Sequence, residues 1–357
     1  MILSPTGAPN ILRPFVSKSL RLLVMAGASA ALLSGTSTHA LACACGCGVF
    51  DIGGLNFSPT NSDTGFSAWV RFDTMDQNAN FEGTSKAAAS DNNDKKINTQ
   101  FYTLGAQYMI NHDWGVMAEL PYLNRSFSTN VGTSDTPDVE TFKLDAVGDL
   151  KLTAMYTGFS PDHSTGAIFG LKLPTGRITS PSYGDYGQTY DPDTLPGSGS
   201  TDVVFGGFHQ GALSADGKFS YFAQGTVQVP VLIKNGYRPG SEYDAAVGVT
   251  YDLGGYGPVT KIAPVAQLIG SYRTHDSYVG GSVDAESTGF TGQNPDSGYQ
   301  RLLVAPGVDL RFGKLKVYTD IELPVYQKVN HSYFPDSGNS GQLVAPQLFK
   351  LQVGYDF

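Results

Sequence analysis

The sequence predicts an all-β protein, a transmembrane, antiparallel, up-and-down β-barrel of twelve strands. Three observations carry that expectation. Apolar and polar side chains alternate at period two through about a dozen segments of roughly ten residues. The links between those segments switch regularly between short and long. No stretch after residue 42 approaches the ~20 consecutive apolar residues that a membrane helix needs. A mean hydropathy of −0.14 with 43 glycines and 19 tyrosines suits a wall whose greasy face is hidden in the alternation.

Taken in order, residues 1–42 have the form of a secretory signal. Arg13, Lys18 and Arg21 make a positive start with no acidic residue before Cys43. Leu22–Leu33 is apolar but short for a membrane span, and Ala40-Leu41-Ala42 supplies a small-residue cleavage site. Export with cleavage near Ala42 is expected. A retained anchor would call for a stop-transfer pattern, which does not follow. Lipidation of Cys43 is the other branch, although Ala40 stands where lipoprotein signals carry Leu. Removing residues 1–42 strips three basic and no acidic residues, taking the net charge from −9 to −12. That balance argues against a nucleic-acid partner.

Residues 43–64 are expected to be a periplasmic, cysteine-rich segment. Cys43-Ala44-Cys45-Gly46-Cys47-Gly48 holds all 3 cysteines of the chain. They can pair among themselves, pair between chains, carry lipid, or bind a soft metal such as Cu(I) or zinc. Cys43, Cys45 and Cys47 are therefore the candidate metal ligands, and no other cofactor is expected. A C-x-x-C-H string is absent, so covalent haem is unsupported.

The barrel is expected over residues 65–357. Its alternating segments are Gly65–Met75, Gln100–Ile110, Trp114–Leu123, Val147–Tyr156, Ala167–Leu173 and Val203–Leu213. Phe219–Val229, Tyr243–Tyr251, Ile262–Tyr272, Leu302–Phe312, Leu315–Val325 and Val344–Phe357 follow. In the first, Phe66, Ala68, Val70 and Phe72 oppose Ser67, Trp69, Arg71 and Asp73. In the last, Phe349, Leu351, Val353, Tyr355 and Phe357 oppose Lys350, Gln352, Gly354 and Asp356. That aromatic ending resembles the closing strand of a bacterial outer-membrane barrel. Tyr355 and Phe357 are the expected signal to the barrel-assembly machinery, and the first and last strands are expected to lie side by side.

Short links fall at Asn111-His112-Asp113, Thr157–Gly166, Ser214–Lys218, Asp252–Pro258 and Gly313-Lys314. Long polar links fall at Asp76–Thr99, Asn124–Lys143, Thr175–Asp202, Pro230–Glu242, Arg273–Gln300 and Tyr326–Gln342. Bacterial barrels put short turns on the periplasmic side and longer loops outside. A soluble sandwich has no reason to sort its loops this way, and it would bury its charged inward positions badly. A wet lumen accommodates them. Arg71, Asp73, Glu119, Asp149, Lys172, Asp309, Arg311, Lys316, Asp320 and Glu322 are the pore-lining candidates. Tyr102, Tyr108, Tyr122, Tyr156, Tyr251, Tyr355 and Trp114 sit near segment ends, where girdles meet outer-membrane lipid and lipopolysaccharide. Pro121, Pro174, Pro230 and Pro324 are expected where strands give way to long loops, as plain terminators or as kinks that open lateral gaps.

Several strings narrow the barrel type. They are Gly148-Asp149-Leu150-Lys151-Leu152, Gly170-Leu171-Lys172-Leu173-Pro174-Thr175-Gly176 and Leu195-Pro196-Gly197-Ser198-Gly199-Ser200-Thr201-Asp202. Leu120-Pro121-Tyr122, Leu323-Pro324-Val325-Tyr326-Gln327 and Gln342-Leu343 complete the set. In order and spacing this set resembles the outer-membrane "transporter" family named for the meta-pathway of phenol degradation, over about Gly65 to Phe357. The resemblance implies an outer-membrane channel for passive uptake or efflux of small, aromatic or otherwise hydrophobic solutes. The alternative is a porin-like scaffold whose cysteine cluster contacts a metal or a periplasmic redox partner.

An enzyme is not expected. Barrel lipases need a serine–histidine pair. His112 and His163 fall in short turns, His275 and His331 in long loops, and His209 in a strand without a G-x-S-x-G beside it. Asp91, Asp94, Asp185, Asp191 and Asp193 fit solvated loop charge, with Ca²⁺ ligation as the alternative.

Overall fold

A computed structural model describes residues 65–131, 138–180, 182–183, 188–190, 192–234, 236–279, 292–293, 297–330 and 341–357. The expected signal segment, its cleavage site, Cys43, Cys45, Cys47, Asp185, Asp191 and His331 lie outside the described residues.

Alternation builds a closed wall of twelve staves. In chain order they are β1 (Gly65–Gln77), β2 (Asp94–Met109), β3 (Trp114–Asn130) and β4 (Val139–Val147 and Leu150–Tyr156, interrupted at Gly148-Asp149). Next come β5 (Thr165–Leu173), β6 (Ser200–Ala212), β7 (Phe219–Ile233) and β8 (Glu242–Tyr251). The last are β9 (Lys261–Arg273), β10 (Tyr299–Phe312), β11 (Leu315–Val329) and β12 (Leu348–Asp356). Each pairs antiparallel with its sequence neighbours, and β12 returns to β1, from Ser67 opposite Asp356 to Met75 opposite Leu348. The first and last strands do lie side by side: the Phe66 and Phe357 rings are 5.3 Å apart, and Phe72 and Phe349 6.4 Å.

The outward face explains where the lipid-facing band sits. Along β2 and just past its end, the exposed series Tyr102, Leu104, Tyr108 and Ile110 is apolar or aromatic. Beyond Tyr102 the same face turns polar with Gln100, Asn98 and Lys96. Tyr102 to Ile110 spans roughly 27 Å along a strand, or about 20 Å at a tilt of ~40°. Trp114, Tyr122, Tyr251 and Tyr355 are likewise exposed on this face. Several staves nevertheless run further than the sequence pattern marks, with β2 starting at Asp94 and β3 ending at Asn130. Backbone pairing continues above the band, where the outward face is polar and the inward face mixes Ile97 and Phe127 with Thr99 and Arg125, so the lipid-facing alternation no longer signals it.

The long links fold over the outer mouth rather than standing away from it. Gln342–Val344 pairs with Ala79–Glu82, so Val344 belongs to this cap and not to the last stave. Tyr237–Arg238 pairs with Ser277–Tyr278 from another link. Two buried apolar clusters weld the cap to the wall. One joins Met75, Phe101, Leu123, Val344 and Leu348; the other joins Ile97, Phe127, Tyr190 and Leu343. At the short-turn end, Met109, Met117, Met155, Ile168 and Phe208 form a third cluster inside the wall, with Trp69 packed on it.

The prolines do not all terminate strands. Pro174 directly follows β5, as expected, but Pro121, Pro230 and Pro324 lie inside β3, β7 and β11. Pro230 and Pro324 each adjoin a register shift, one between Thr201 and Asp202 and one between Leu302 and Leu303. An irregularity in the ladder is one of the few places in a strand that tolerates a residue without an N–H. Pro121 marks a change of partner: β3 pairs with Leu150–Tyr156 up to Glu119 and with Val139–Val147 from Tyr122. The Gly148 amide donates to the Pro121 carbonyl across that break, at 2.8 Å.

Candidate functional site

Period two sends every second side chain inward, and in the middle of this lumen those side chains are charged. On β1, Arg71 Nε donates to Asp73 Oδ2 at 2.7 Å, and Arg71 Nη1 reaches Glu119 Oε1 of β3 at 3.4 Å. Lys350 of β12 stands between Asp73 and Asp320 in the ladder. Its Nζ lies 3.3 Å from Glu322 Oε1, both side chains having no exposed surface. Asp320 Oδ2 accepts from Tyr318 Oη at 2.6 Å and Gln267 Nε2 at 2.8 Å. Lys172 of β5 is 2.7 Å from Asp202 Oδ2 of β6 and 3.7 Å from Asp149 Oδ2. Arg273 of β9 reaches Asp276 at 2.9 Å and Glu242 at 3.7 Å. Charges this deep persist only when paired and hydrogen-bonded, and here they are arranged in opposite-sign sets.

Between these sets lies a cavity of about 180 Å³. Arg71, Asp73, Glu119, Asp149, Lys151 and Lys172 contribute its charged wall. Phe101, Leu123, Pro192, Leu195 and Pro196 give it an apolar, proline-rich side. The last three come from the link between β5 and β6, whose segment Pro192–Gly199 runs over the lumen. Arg125 Nη1 donates to the Thr194 carbonyl and holds that segment at one end.

Of the ten pore-lining candidates, Arg71, Asp73, Glu119, Asp149 and Lys172 line this cavity. Asp149 does so from the break in β4 rather than from a strand. Asp320 and Glu322 are buried beside Lys350, away from the cavity lining. Asp309 with Arg311 (3.4 Å), and Lys316 with Asp356 (2.6 Å), form separate pairs nearer the short-turn end. Sequence reasoning missed Arg125, Asp202, Glu242, Arg273 and Lys350. Arg125 continues the inward series Met117, Glu119, Pro121, Leu123, which was cut short where the outward face turned polar. Lys350 was on the polar face of the last strand, and only its burial between three acids singles it out.

Outside the lipid band three acids are displaced from their ordinary range, among them Asp216, which hydrogen bonds from the Ser214 hydroxyl and the Lys218 amide hold low. Burial pushes the Asp94 carboxyl, at the outer tip of β2, up to about 7 despite a hydrogen bond from Thr129. In the turn before β5, hydrogen bonds from Ser160 and Ser164 hold Asp162 down to about 2. His209 points outward from β6, with Nδ1 2.8 Å from Thr165 Oγ1 and Nε2 2.8 Å from Tyr221 Oη. Among the described residues no group of three or more His, Cys, Asp or Glu is arranged to hold a metal ion.

The strings that suggested a family converge on Asp149. Its Oδ1 accepts from the Gly176 amide at 2.9 Å, and its Oδ2 from the Ser198 amide at 2.9 Å and the Ser198 hydroxyl at 2.6 Å. The Leu150 amide donates to Thr175 Oγ1 at 2.8 Å, and Gly197 donates to the Arg177 carbonyl at 2.9 Å. A Cβ on Gly176 would stand 2.6 Å from Gly197 Cα and 2.9 Å from the Gly148 carbonyl carbon. Only glycine permits that approach.

Among solved structures, the chain resembles an outer-membrane channel from Pseudomonas putida F1, with a TM-score of 0.57 and 13% identity over 84% of this chain and 99% of that one. The β domain of the Bordetella autotransporter BrkA aligns with a TM-score of 0.48 and 13% identity, over 82% and 100% of the two chains. The monoaromatic hydrocarbon channel CymD aligns at 0.42 and 10%, over 86% and 94%. The first similarity supports the barrel fold and nothing finer. No protein-family model matches the chain, and no curated protein matches it.

Proposed function

We propose that this chain is an outer-membrane channel for the passive passage of small solutes, each about the size of one aromatic ring and bearing a polar group. The observation that carries the reading is the pairing of a lipid-facing apolar band with a charged, partly apolar cavity inside the same closed wall. Size sets one limit. A cavity near 150 Å³ in an unrelated protein takes up benzene, so about 180 Å³ suits one substituted ring. Lining sets the other. Phe101, Leu123 and Leu195 give a ring apolar contact, while Arg71, Glu119 and Lys172 offer donors and acceptors to a hydroxyl or carboxylate. Because those charges are already paired with one another, they need not be desolvated by the solute, and binding stays weak enough for release. A phenol-type solute fits this description, as does the family that the sequence resembles.

On this reading the chain is exported and cleaved near Ala42. The assembly machinery then inserts it by way of the Tyr355 and Phe357 strand. Planar-bilayer recording of the refolded barrel tests the proposal. Discrete conductance steps are expected, blocked in a concentration-dependent way by small phenols or benzoates, with Lys172→Gln shifting the ion selectivity toward cations. Conductance no greater than that of lipid alone would refute it.

A further inference from the structure

The junction around Asp149 does more than join strands. Val139–Val147 pairs with β3 on one edge, and among the described residues no ladder joins its other edge to β6. The segment Pro192–Gly199 passes Gly148, at the end of that half-strand, where a Cβ would stand 3.1 Å from the Pro196 carbonyl oxygen, and its Pro192, Leu195, Pro196 and Ser198 line the cavity. Arg125 grips it at Thr194, and Leu195 packs beside Phe127 and Ile97. The other end, at Gly197-Ser198, is held by the Asp149 carboxylate, by the Arg177 carbonyl and by Lys172, whose Nζ lies 2.7 Å from Ser198 Oγ. One carboxylate thus fixes both the start of the link, at Gly176, and its return, at Ser198. Polar bonds of this kind each contribute little net stability, because water offers the same groups partners when they part. Among the described residues no buried apolar cluster includes Gly197 or Ser198, whereas Leu195 packs against one.

We infer that Asp149 is a positioning residue that latches the strap Pro192–Gly199 over the cavity, and that solute passage requires this end of the strap to lift. The inference rests on the channel reading. Glycines 148, 176 and 197 let the backbones close without side chains between them, so the latch can part and reseat without repacking a core. Opening would hinge at Thr194–Leu195, where Arg125 and the apolar cluster keep hold.

The test uses the full chain in liposomes, comparing Asp149→Ala with the wild type and with Asp216→Ala, a change in a distant short turn. Two readouts are taken: swelling in a phenol-sized polar solute, and tryptic cleavage after Arg177. The Arg177 side chain is exposed, but its backbone is held by Gly197. Asp149→Ala is expected to raise swelling several-fold and to speed cleavage after Arg177 by at least tenfold, while the heat-modifiable mobility of the folded barrel is kept. Asp216→Ala should match the wild type in both. Wild-type cleavage and swelling in a folded Asp149→Ala barrel would overturn the latch. Faster cleavage without swelling in any variant would leave the latch standing and overturn the channel reading. Should Asp149→Ala fail to fold, Ser198→Ala, which removes one hydroxyl from the same junction, is read by the same two measurements.

Discussion

Lys350 and Glu322 have no exposed surface, and their charges are 3.3 Å apart. Asp73 and Asp320 flank the same ammonium in the ladder. Removing one partner of a buried pair typically costs about 3–5 kcal/mol, because the other charge is left uncompensated. Lys350→Met is therefore expected to lower barrel stability by that order, measured by urea unfolding in lipid. The double change Lys350→Met with Glu322→Gln should recover part of the loss. Asp94 gives a pH dependence with a definite sign. Its folded-state carboxyl titrates near 7 against an ordinary value of 3.8, chiefly through burial, with Asp193 raising it further and Thr129 and Lys95 opposing. The folded state holds this proton more tightly than the unfolded chain, so stability is greatest in acid. It falls as pH rises from about 4 through 7. Asp94→Asn should flatten that part of the profile, as read by thermal unfolding between pH 5 and 8. Five of the ten inward charges chosen from sequence meet at the cavity, because alternation fixes a side chain's direction. Which of them pair, and which stand behind the cavity, depends on the ladder register, and spacing alone does not reveal it.

Among the elements, β4 departs most from a simple stave. Its halves meet at Gly148-Asp149 opposite Pro121, and its outer half Val139–Val147 pairs on one side with β3. Gly176→Ala would force a Cβ to within 2.6 Å of Gly197 Cα. A clash with backbone cannot be relieved by a rotamer change, so this substitution is expected to release the strap as Asp149→Ala does. Arg177 should become cleavable and solute flux should rise, with the barrel still folded. All twelve alternating segments became staves, because a lipid-facing side and a wet side leave a strong period-two signature. The outer halves of β2 and β3 and the short cap strands Ala79–Glu82 and Gln342–Val344 were not legible. Above the membrane the outward face is polar and the apolar residues, such as Ile97, Phe127, Leu343 and Val344, turn inward to the cap, so pairing there follows from tertiary contact rather than from a lipid-facing pattern. The prolines misled for a related reason: a ladder irregularity can hold Pro230 or Pro324 inside a strand, and nothing local distinguishes that from a strand end.

For the whole molecule, closure is the decisive feature. The seam between β1 and β12 carries the Phe66–Phe357 and Phe72–Phe349 contacts, and the Phe357 amide donates to the Phe66 carbonyl at 2.9 Å. Phe357→Ala is expected to lower the yield of heat-modifiable barrel in the membrane while leaving the stability of the assembled fraction within about 1–2 kcal/mol of the wild type, since an exposed ring at a seam buries little. The closed wall, its lipid-facing band and the sorting of its loops were readable from the sequence, whereas the strap and the size of the cavity depended on how the long links fold back. Liposome swelling with solutes of graded size tests the channel reading most directly. One-ring polar solutes should enter faster than in protein-free liposomes, and disaccharides should not. Entry no faster than in protein-free liposomes, or equal entry of disaccharides, would contradict it.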